Sequence, residues 1–475
     1  MAATTRLSWR DGVSAGPRAD GSFRVEGPTA RLTFRATAGP AVAALRRLEP
    51  PGEDEGVLAD SVLESGGLGA LSRWYFHLQR LACRGLLVRS VVADGRRLAT
   101  LVPTSPSFRL EPSGLWVAPD RPLQLCRFAY LRREGGMLVL ESPRSHARVL
   151  FDDPRAVALL GALAGPVTPA ELPGRSTTLP GDAAAPLLLL LAVAGMLQEA
   201  GPEAEPVALR AWEFHDLLFH ARSRKGRTDA PSGATYRPEV ALDPAPAFRP
   251  VVEAETVELF RPDLDRLEAD DPPLARVVEA RRSIREYGDR PLSARQLGEF
   301  LFRVARAKAV HEVVLDTPRG PIPVEVAPRP YPSGGSLYEL EFYLAVQACD
   351  GLEPGLYHHD PRHHRLGRRR GRTEDVGLLI RDAAASASIP DGRVQVVVIL
   401  AARPRRLAWK YASIAYALTL KHVGVAYQNM YLAATAMGLA PCGLGGGDSD
   451  LFARAAGVDY EDEASVGEFL LGSRP

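Results

Sequence analysis

Cysteine is scarce in this 475-residue chain. Its four cysteines, Cys83, Cys126, Cys349 and Cys442, include no C-x-x-C pair and no other metal-ligand spacing, which leaves no basis for a disulfide framework or a zinc ribbon. Excess charge is also missing. Fifty-eight Lys+Arg against 57 Asp+Glu leave a formal charge of +1, so no global field draws the chain to nucleic acid or to an anionic membrane. Nor is there a long hydrophobic run. The longest, 183–197, is broken by Pro186 and Gly195 and falls short of the ~18–20 residues a spanning helix needs, so it reads as a buried helix. The first twenty residues carry Arg6, Arg10, Asp11, Arg18 and Asp20 with no apolar stretch between them, unlike a secretory signal. The expectation is a reduced, cytoplasmic protein.

What is present is ordinary globular composition, 46% apolar and 24% charged, at a length that suggests about three domains. Two short alternating strands flank Gly27-Pro28 within 22–36. A helical stripe follows over 68–84, ended by Gly85, and strands over 86–93 and 96–102 flank Asp94-Gly95, a strong hairpin signal. Helix then hairpin is a winged-helix pattern. A similar order recurs: strands over 128–133 and 137–141 around Gly135-Gly136, helices from Pro154 and Thr168, and a Leu-rich helix over 186–198. Thr168 and Glu171 make a capping box. The reading is a first winged-helix-like unit over 20–110, a second over 120–205, an extended, proline-rich connecting segment over 206–272, and a larger domain over 273–475. In the last, Ser293 and Gln296 cap a helix, 341–347 and 394–401 read as buried strands, and 413–439 reads as a central helix buried nearly all round.

Three loops of the last domain combine small residues with charge. Arg281-Arg282-Ser283-Ile284-Arg285 suits either a phosphate held by charge-assisted hydrogen bonds or a solvated basic helix end. Pro332-Ser333-Gly334-Gly335-Ser336 suits either close backbone approach to a flat ligand or an ordinary turn. Gly443-Leu444-Gly445-Gly446-Gly447 follows a helix, and Asp448 stands where a dinucleotide fingerprint needs glycine, so a Rossmann site is not assigned. Lys410-Tyr411 reads either as a base with its partner or as a surface lysine beside a packing tyrosine. His358, His359, His363 and His364 form no tetrahedral ligand set, and no metal is assigned. Arg368, Arg369, Arg370 and Arg372 suit a solvated loop or an anionic partner, and Gln428 and Asn429 suit a ligand face or a helix interface.

Taken together, the R-R-S-x-R loop, the P-S-G-G-S loop, the long helix leading into G-L-x-x-x-G-L-G-G-G and Arg474 resemble the nitroreductase-fold FMN enzymes. Trp409-Lys410-Tyr411 and Gln428-Asn429-Met430-Tyr431-Leu432 are similar, more narrowly, to the SagB/ThcOx dehydrogenases, azoline oxidases of ribosomal peptide biosynthesis. The N-terminal half fits the same family through Leu131-Arg132-Arg133, Leu140-Glu141-Ser142-Pro143 and Trp212-Glu213-Phe214-His215-Asp216.

The resemblance implies an α+β chain, with a C-terminal nitroreductase-like FMN fold preceded by two winged-helix-like peptide-binding units. It places Arg281, Arg282, Ser283 and Arg285 at the phosphate and ribityl end of FMN, with Arg474 closing on the phosphate. Pro332, Ser333, Gly334, Gly335 and Ser336 would lie along the flavin, and Leu444, Gly445 and Gly446 would offer it backbone N–H groups. Lys410 and Tyr411 would remove the proton from an azoline ring, giving thiazole or oxazole in a modified precursor peptide. A homodimer is implied, with a cyclodehydratase complex as further partner and no nucleic acid or membrane. Tyr338-Glu339 departs from the His-Pro of relatives and leaves the substrate side of that loop open. Two other readings compete. One is an NAD(P)H-dependent nitro or quinone reductase on the same fold. The other is a winged-helix DNA-binding regulator, disfavoured by the near-neutral charge and the absence of a basic recognition helix.

Overall fold

The computed structural model describes residues 3–475 apart from 29, 35–38, 111–117, 119, 176–178, 180–181, 202–204, 238–239, 241, 251–252 and 391. It divides into two units, Met1–Ala230 and Pro231–Pro475.

In the first unit, Asp94 and Gly95 take φ of 50° and 73°, the two positive values a tight hairpin turn demands. Beside a small sheet of Ser14–Pro17, Phe23–Glu26 and Arg31–Phe34, which includes the expected hairpin of 22–36, the main strands here are β1 (Thr4–Trp9), β2 (Glu53–Asp54), β3 (Leu87–Ala93), β4 (Arg96–Pro103), β5 (Tyr130–Glu134), β6 (Met137–Glu141) and β7 (Ala147–Phe151). They form one seven-stranded antiparallel sheet in the order β2-β1-β3-β4-β7-β6-β5. The two expected hairpins therefore share a sheet, joined where Ala99 to Pro103 pairs with Phe151 to Ala147. Alternation accounts for the join: Ala99, Leu101, Val149 and Phe151 enter a single core with Trp74, Leu78, Leu187 and Leu191.

Helix α1 (Glu55–Ala82) is capped by Asp54, which accepts from Gly56 and Val57 N–H, and is broken at Gly67, φ 67°. Its second half begins where the apolar stripe begins in the sequence. The capping box is present, with Thr168 N–H donating to Glu171 Oε2 at 3.1 Å and Glu171 N–H to Thr168 Oγ1 at 3.3 Å. The Leu-rich helix α2 (Ala184–Val193) is shorter than its composition suggests. Gly195 at φ 68° turns the chain, and Leu197–Glu199 pairs as a strand with Leu123–Leu125. The stretch 206–272 is not uniformly extended: it includes helices Phe214–Arg222 and Leu264–Asp270.

The second unit is three layers. Its sheet contains β8 (Thr256–Glu258), β9 (Leu340–Val346), β10 (Gly355–Asp360), β11 (Arg365–Arg370), β12 (Val396–Ala402), β13 (Leu439–Gly443) and β14 (Ala464–Ser473). The order is β8-β11-β10-β9-β12-β14-β13, antiparallel throughout. The helices packed with it include α3 (Leu274–Ala280), α4 (Ala294–Ala305), α5 (Glu374–Ala387), α6 (Ala415–Ala436) and α7 (Ser449–Ala456). Strands β9 and β12 are buried on both faces, and apolar there but for Glu341, because both faces are covered. Leu340, Phe342, Leu344, Val398 and Leu400 meet α4 and α6. Tyr343, Ala345, Val397 and Ile399 meet α5 and α7. The Ser293–Gln296 capping box forms and contributes about 1 kcal/mol. Burying Leu297, Phe300, Leu301 and Val304 contributes about 1.5–3 kcal/mol each, so the apolar face sets where α4 lies.

Helix α6 departs from expectation. Within the chain it buries one face, through His422, Val423, Ala426, Met430 and Ala434, while Tyr416, Leu420 and Val425 stay 56%, 41% and 37% exposed. It also ends at Ala436, because Gly438 at φ 70° redirects the chain into β13. Among the described residues no helix is long and apolar enough to cross a membrane.

Candidate active site

Three residues spaced along α6 hold the three glycine- or arginine-bearing loops. His422 Nε2 accepts the Gly334 N–H at 2.8 Å. Tyr427 Oη donates to the Glu468 carbonyl at 2.8 Å, beside the Leu444 N–H that bonds the same oxygen at 2.9 Å. Tyr431 Oη lies 2.7 Å from Ser283 Oγ and accepts the Gly443 N–H at 2.7 Å. At 1.5 Å per residue, His422 to Tyr431 spans about 14 Å of helix. A sequence reading that took 413–439 as a buried core helix missed this role.

The arginine loop leaves α3 in extended conformation and runs antiparallel to β13. Ile284 N–H donates to the Pro441 carbonyl at 2.8 Å, and Gly288 N–H to the Ser473 carbonyl at 3.2 Å. Arg281 places its guanidinium 5.3 Å from the centre of the Tyr431 ring. Arg474 Nε donates to the Leu439 carbonyl at 3.2 Å, at the other end of β13 from Gly443. Among the described residues none of Arg281, Arg282, Arg285 and Arg474 is in an ion pair. The second arginine run is different in kind: Arg368 pairs with Glu255 at 3.2 Å and Arg369 with Glu253 at 3.0 Å.

The P-S-G-G-S loop and Lys410-Tyr411 meet. A Cβ placed on Gly335 would stand 2.9 Å from Lys410 Nζ and 3.0 Å from Tyr411 Oη, so the amine and the phenol converge on one glycine. Burial lowers the Lys410 pKa and raises that of Tyr411. Tyr411 opens a two-residue strand, Tyr411–Ala412, zipped to Gly233–Ala234, and the Tyr236 N–H donates to the carbonyl of Lys410 just before it at 2.9 Å. Lys410 Nζ is 5.8 Å from the Tyr236 ring centre.

Five of the eight non-glycine residues at positive φ among the described residues lie in these segments: Tyr236, Arg237, Ser336, Tyr338 and Ser413. Each costs of order 1–3 kcal/mol and persists only where its surroundings over-determine it. Arg406 supplies part of that constraint. Buried and with its pKa lowered to about 10 by burial, it donates to the carbonyls of Leu337, Ala245 and Glu325. Lysine is rare in the chain, occurring only at 225, 308, 410 and 421, every other basic residue of the 58 being arginine.

The third loop lines a cavity of about 330 Å³ with Tyr427, Ser449, Ser465 and Glu468. Gly445 and Gly446 face open space, whereas a Cβ on Gly447 would meet the Glu468 carboxyl carbon at 2.2 Å. Burial pushes the Glu468 pKa up, and nothing in the local sequence announces this carboxyl. Asp448 caps α7, accepting from Leu451 N–H at 2.8 Å.

The histidine cluster is spent on internal contacts. His358 lies 3.1 Å from Glu341, His359 lies 3.3 Å from His364, and His363 lies 2.8 Å from Asp360. Burial holds His359 well below the usual histidine range, while His358 and Arg403 hold the buried Glu341 down at about 2 against its desolvation. Gln428 is exposed. Asn429 Nδ2 is shielded and has no hydrogen-bond acceptor among the described residues.

Family models match along the chain: the ThcOx helix turn helix domain over residues 1–112, cyanobactin oxidase ThcOx over 123–229, and the nitroreductase family over 278–473. Over 191 residues the chain is 30% identical to the Methanocaldococcus jannaschii protein MJ1384, named as a nitroreductase, covering 40% of this chain and 85% of that protein. Among solved structures, the Escherichia coli microcin synthetase McbBCD complex with truncated pro-MccB17 bound has a chain that is 18% identical. It matches at a TM-score of 0.35, covering 54% of this chain and 91% of that one. A Bacteroides fragilis nitroreductase with bound FMN is 18% identical at a TM-score of 0.26, covering 43% and 89%. By its identity across most of a curated relative and by the family matches, the chain belongs to the nitroreductase family, with the two ThcOx modules ahead of its nitroreductase fold.

Proposed function

We propose that the chain is an FMN-dependent dehydrogenase that converts thiazoline or oxazoline rings in a ribosomally made, modified peptide to thiazole or oxazole. The observation that carries this reading is the convergence of Lys410 Nζ and Tyr411 Oη on Gly335. Ring dehydrogenation needs a base for the C–H proton and an acceptor for the hydride; FMN, when bound, supplies the acceptor. Lys410 Nζ takes the proton, and its lowered pKa raises the fraction of free amine available near neutral pH. Tyr411 Oη orients that amine or donates a proton in its turn.

The residues present fit FMN. Four arginines without carboxylate partners among the described residues, Arg281, Arg282, Arg285 and Arg474, would hold its phosphate with Ser283. Gly445 and Gly446 offer backbone at the cavity of about 330 Å³, whereas the Leu444 N–H expected to do so is already bonded to the Glu468 carbonyl; Asn429 Nδ2 brings a donor without an acceptor among the described residues. Pro332 to Ser336 would complete the ring side. Arg281→Ala or Arg285→Ala should weaken FMN by about 1.5–3 kcal/mol per charged hydrogen bond lost, read by titration of the apoprotein. FAD in place of FMN in heat-released flavin would count against the site.

The exposed Tyr416, Leu420 and Val425 of α6, with Leu274 and Val278 of α3, support a homodimer, since an apolar helix face left open by one copy fits a second. The free thiols of all four cysteines fit a cytoplasmic location. The first unit would hold the precursor peptide or a cyclodehydratase partner by strand addition at its sheet edges. Binding of that peptide by the full chain should survive removal of flavin and show no salt-dependent competition by DNA.

The test of the function is a mass spectrum of a co-produced azoline peptide after incubation. Loss of two hydrogens per ring supports it. Bleaching of the flavin by NAD(P)H with the rings unchanged would favour a nitro or quinone reductase instead.

A further inference from the structure

Against the glycine loop stands a buried acid–imidazole pair that the proposed chemistry does not use. Glu339 is fully buried and His422 is 6% exposed. Glu339 Oε1 lies 2.7 Å from His422 Nδ1. An ionised carboxylate only accepts, so Nδ1 carries the hydrogen and Nε2 presents a lone pair. That lone pair accepts the Gly334 N–H at 2.8 Å. The other carboxylate oxygen faces Ser333 Oγ at 3.5 Å, and the same hydroxyl accepts the Tyr338 N–H at 3.0 Å.

The loop held in this way needs holding. Ser336 and Tyr338 lie at positive φ, 56° and 47°, a strain that persists only where the surroundings over-determine it, while Gly335 at 62° takes that region freely. Its far end is gripped separately, by Arg406 on the Leu337 carbonyl at 2.6 and 2.8 Å. Its near end depends on the imidazole, which packs on Gly334 with Leu418. The next residue, Gly335, is the surface against which Lys410 Nζ and Tyr411 Oη rest. Glu339 thus bonds His422 and His422 bonds Gly334, and the amine lies 2.9 Å from where a Cβ on the adjoining Gly335 would stand.

We propose that Glu339 and His422 are positioning residues for Lys410 and Tyr411. The carboxylate fixes the imidazole tautomer, the imidazole fixes Gly334, and Gly335 is thereby kept where the amine and phenol meet it. This rests on the reading of Lys410 as the base only for its consequence in turnover; the placement of the amine is a property of the chain itself.

The test compares His422→Leu, which removes the acceptor, with His422→Gln, whose side-chain carbonyl is able to accept the Gly334 N–H. Both are made in the full-length, flavin-loaded protein. Lysines are reductively methylated with ¹³C and titrated by NMR, which is practicable because there are only four, at 225, 308, 410 and 421. The Lys410 signal is assigned by its loss in Lys410→Met.

His422→Leu should move the Lys410 titration up toward the ordinary lysine range and lower azoline turnover by about tenfold to 10²-fold, the scale of a small misplacement at a reacting centre. His422→Gln should restore both. A Lys410 titration unchanged in His422→Leu would overturn the proposal, as would equal loss in both variants in step with a fall in melting temperature. A shifted titration with azoline oxidation absent even in the parent would uphold the positioning role and reject the azoline reading.

Discussion

Lys410→Ala is expected to keep its flavin and its oligomeric state while losing ~10²-fold or more of azoline oxidation, the scale of a positioned acid or base. Its contacts are with Gly335, Tyr236 and Tyr411, none of them in the arginine loop, so truncation should leave phosphate binding alone. The pH profile makes the test specific. Burial lowers the Lys410 pKa, and the free amine is the active form. Parent turnover should therefore climb with pH through that lowered value and level off above it, short of the ~10.4 of an ordinary lysine. In Lys410→Ala that limb should vanish. Tyr411→Phe should keep the limb if the phenol only orients the amine. Colourless Lys410→Ala protein would make the defect structural. An unchanged single-turnover rate of flavin reduction by an azoline peptide would remove Lys410 from the mechanism.

Legibility from sequence followed how local each determinant is. Turn chemistry and caps were readable because they are set within four residues: Asp94-Gly95, Thr168 with Glu171, and Ser293 with Gln296 all form as their residue types require. Glycine stops were under-weighted. Gly195 and Gly438 end helices that composition alone would carry through to 198 and 439. The single sheet of the first unit could not be read locally, since the pairing of 99–103 with 147–151 depends on which edges share a core.

At the site, the loop motifs named the right residue types, yet what links them lies far away in sequence. Tyr431 meets Ser283 across 148 residues, and His422 meets Glu339 across 83. Glu339, which looked like a departure from the family's loop, acquires a partner only once α6 packs against β9.

Gly335→Ala should abolish most turnover at a modest cost in stability, and the geometry explains why the two effects separate. At φ 62° an added Cβ strains the backbone, at roughly 1–2 kcal/mol for a single left-handed residue. The new methyl would also stand 2.9 Å from Lys410 Nζ and 3.0 Å from Tyr411 Oη. Lys410 Nζ is the end of a flexible side chain, so it swings aside and the fold survives, but the base leaves its place. A displacement of about 1 Å at a reacting centre costs roughly 10²-fold.

Gly445→Ala and Gly446→Ala are the matched controls, because a Cβ at either position meets nothing within 4 Å. Their melting temperatures should stay at the parent's, and any loss should appear in flavin affinity. Thermal melts, flavin occupancy and azoline turnover measured on the three variants separate the cases. Parent-like turnover in Gly335→Ala, with flavin bound, would mean that the amine and phenol do not act across this glycine, and the assignment of Lys410 and Tyr411 would fall with it.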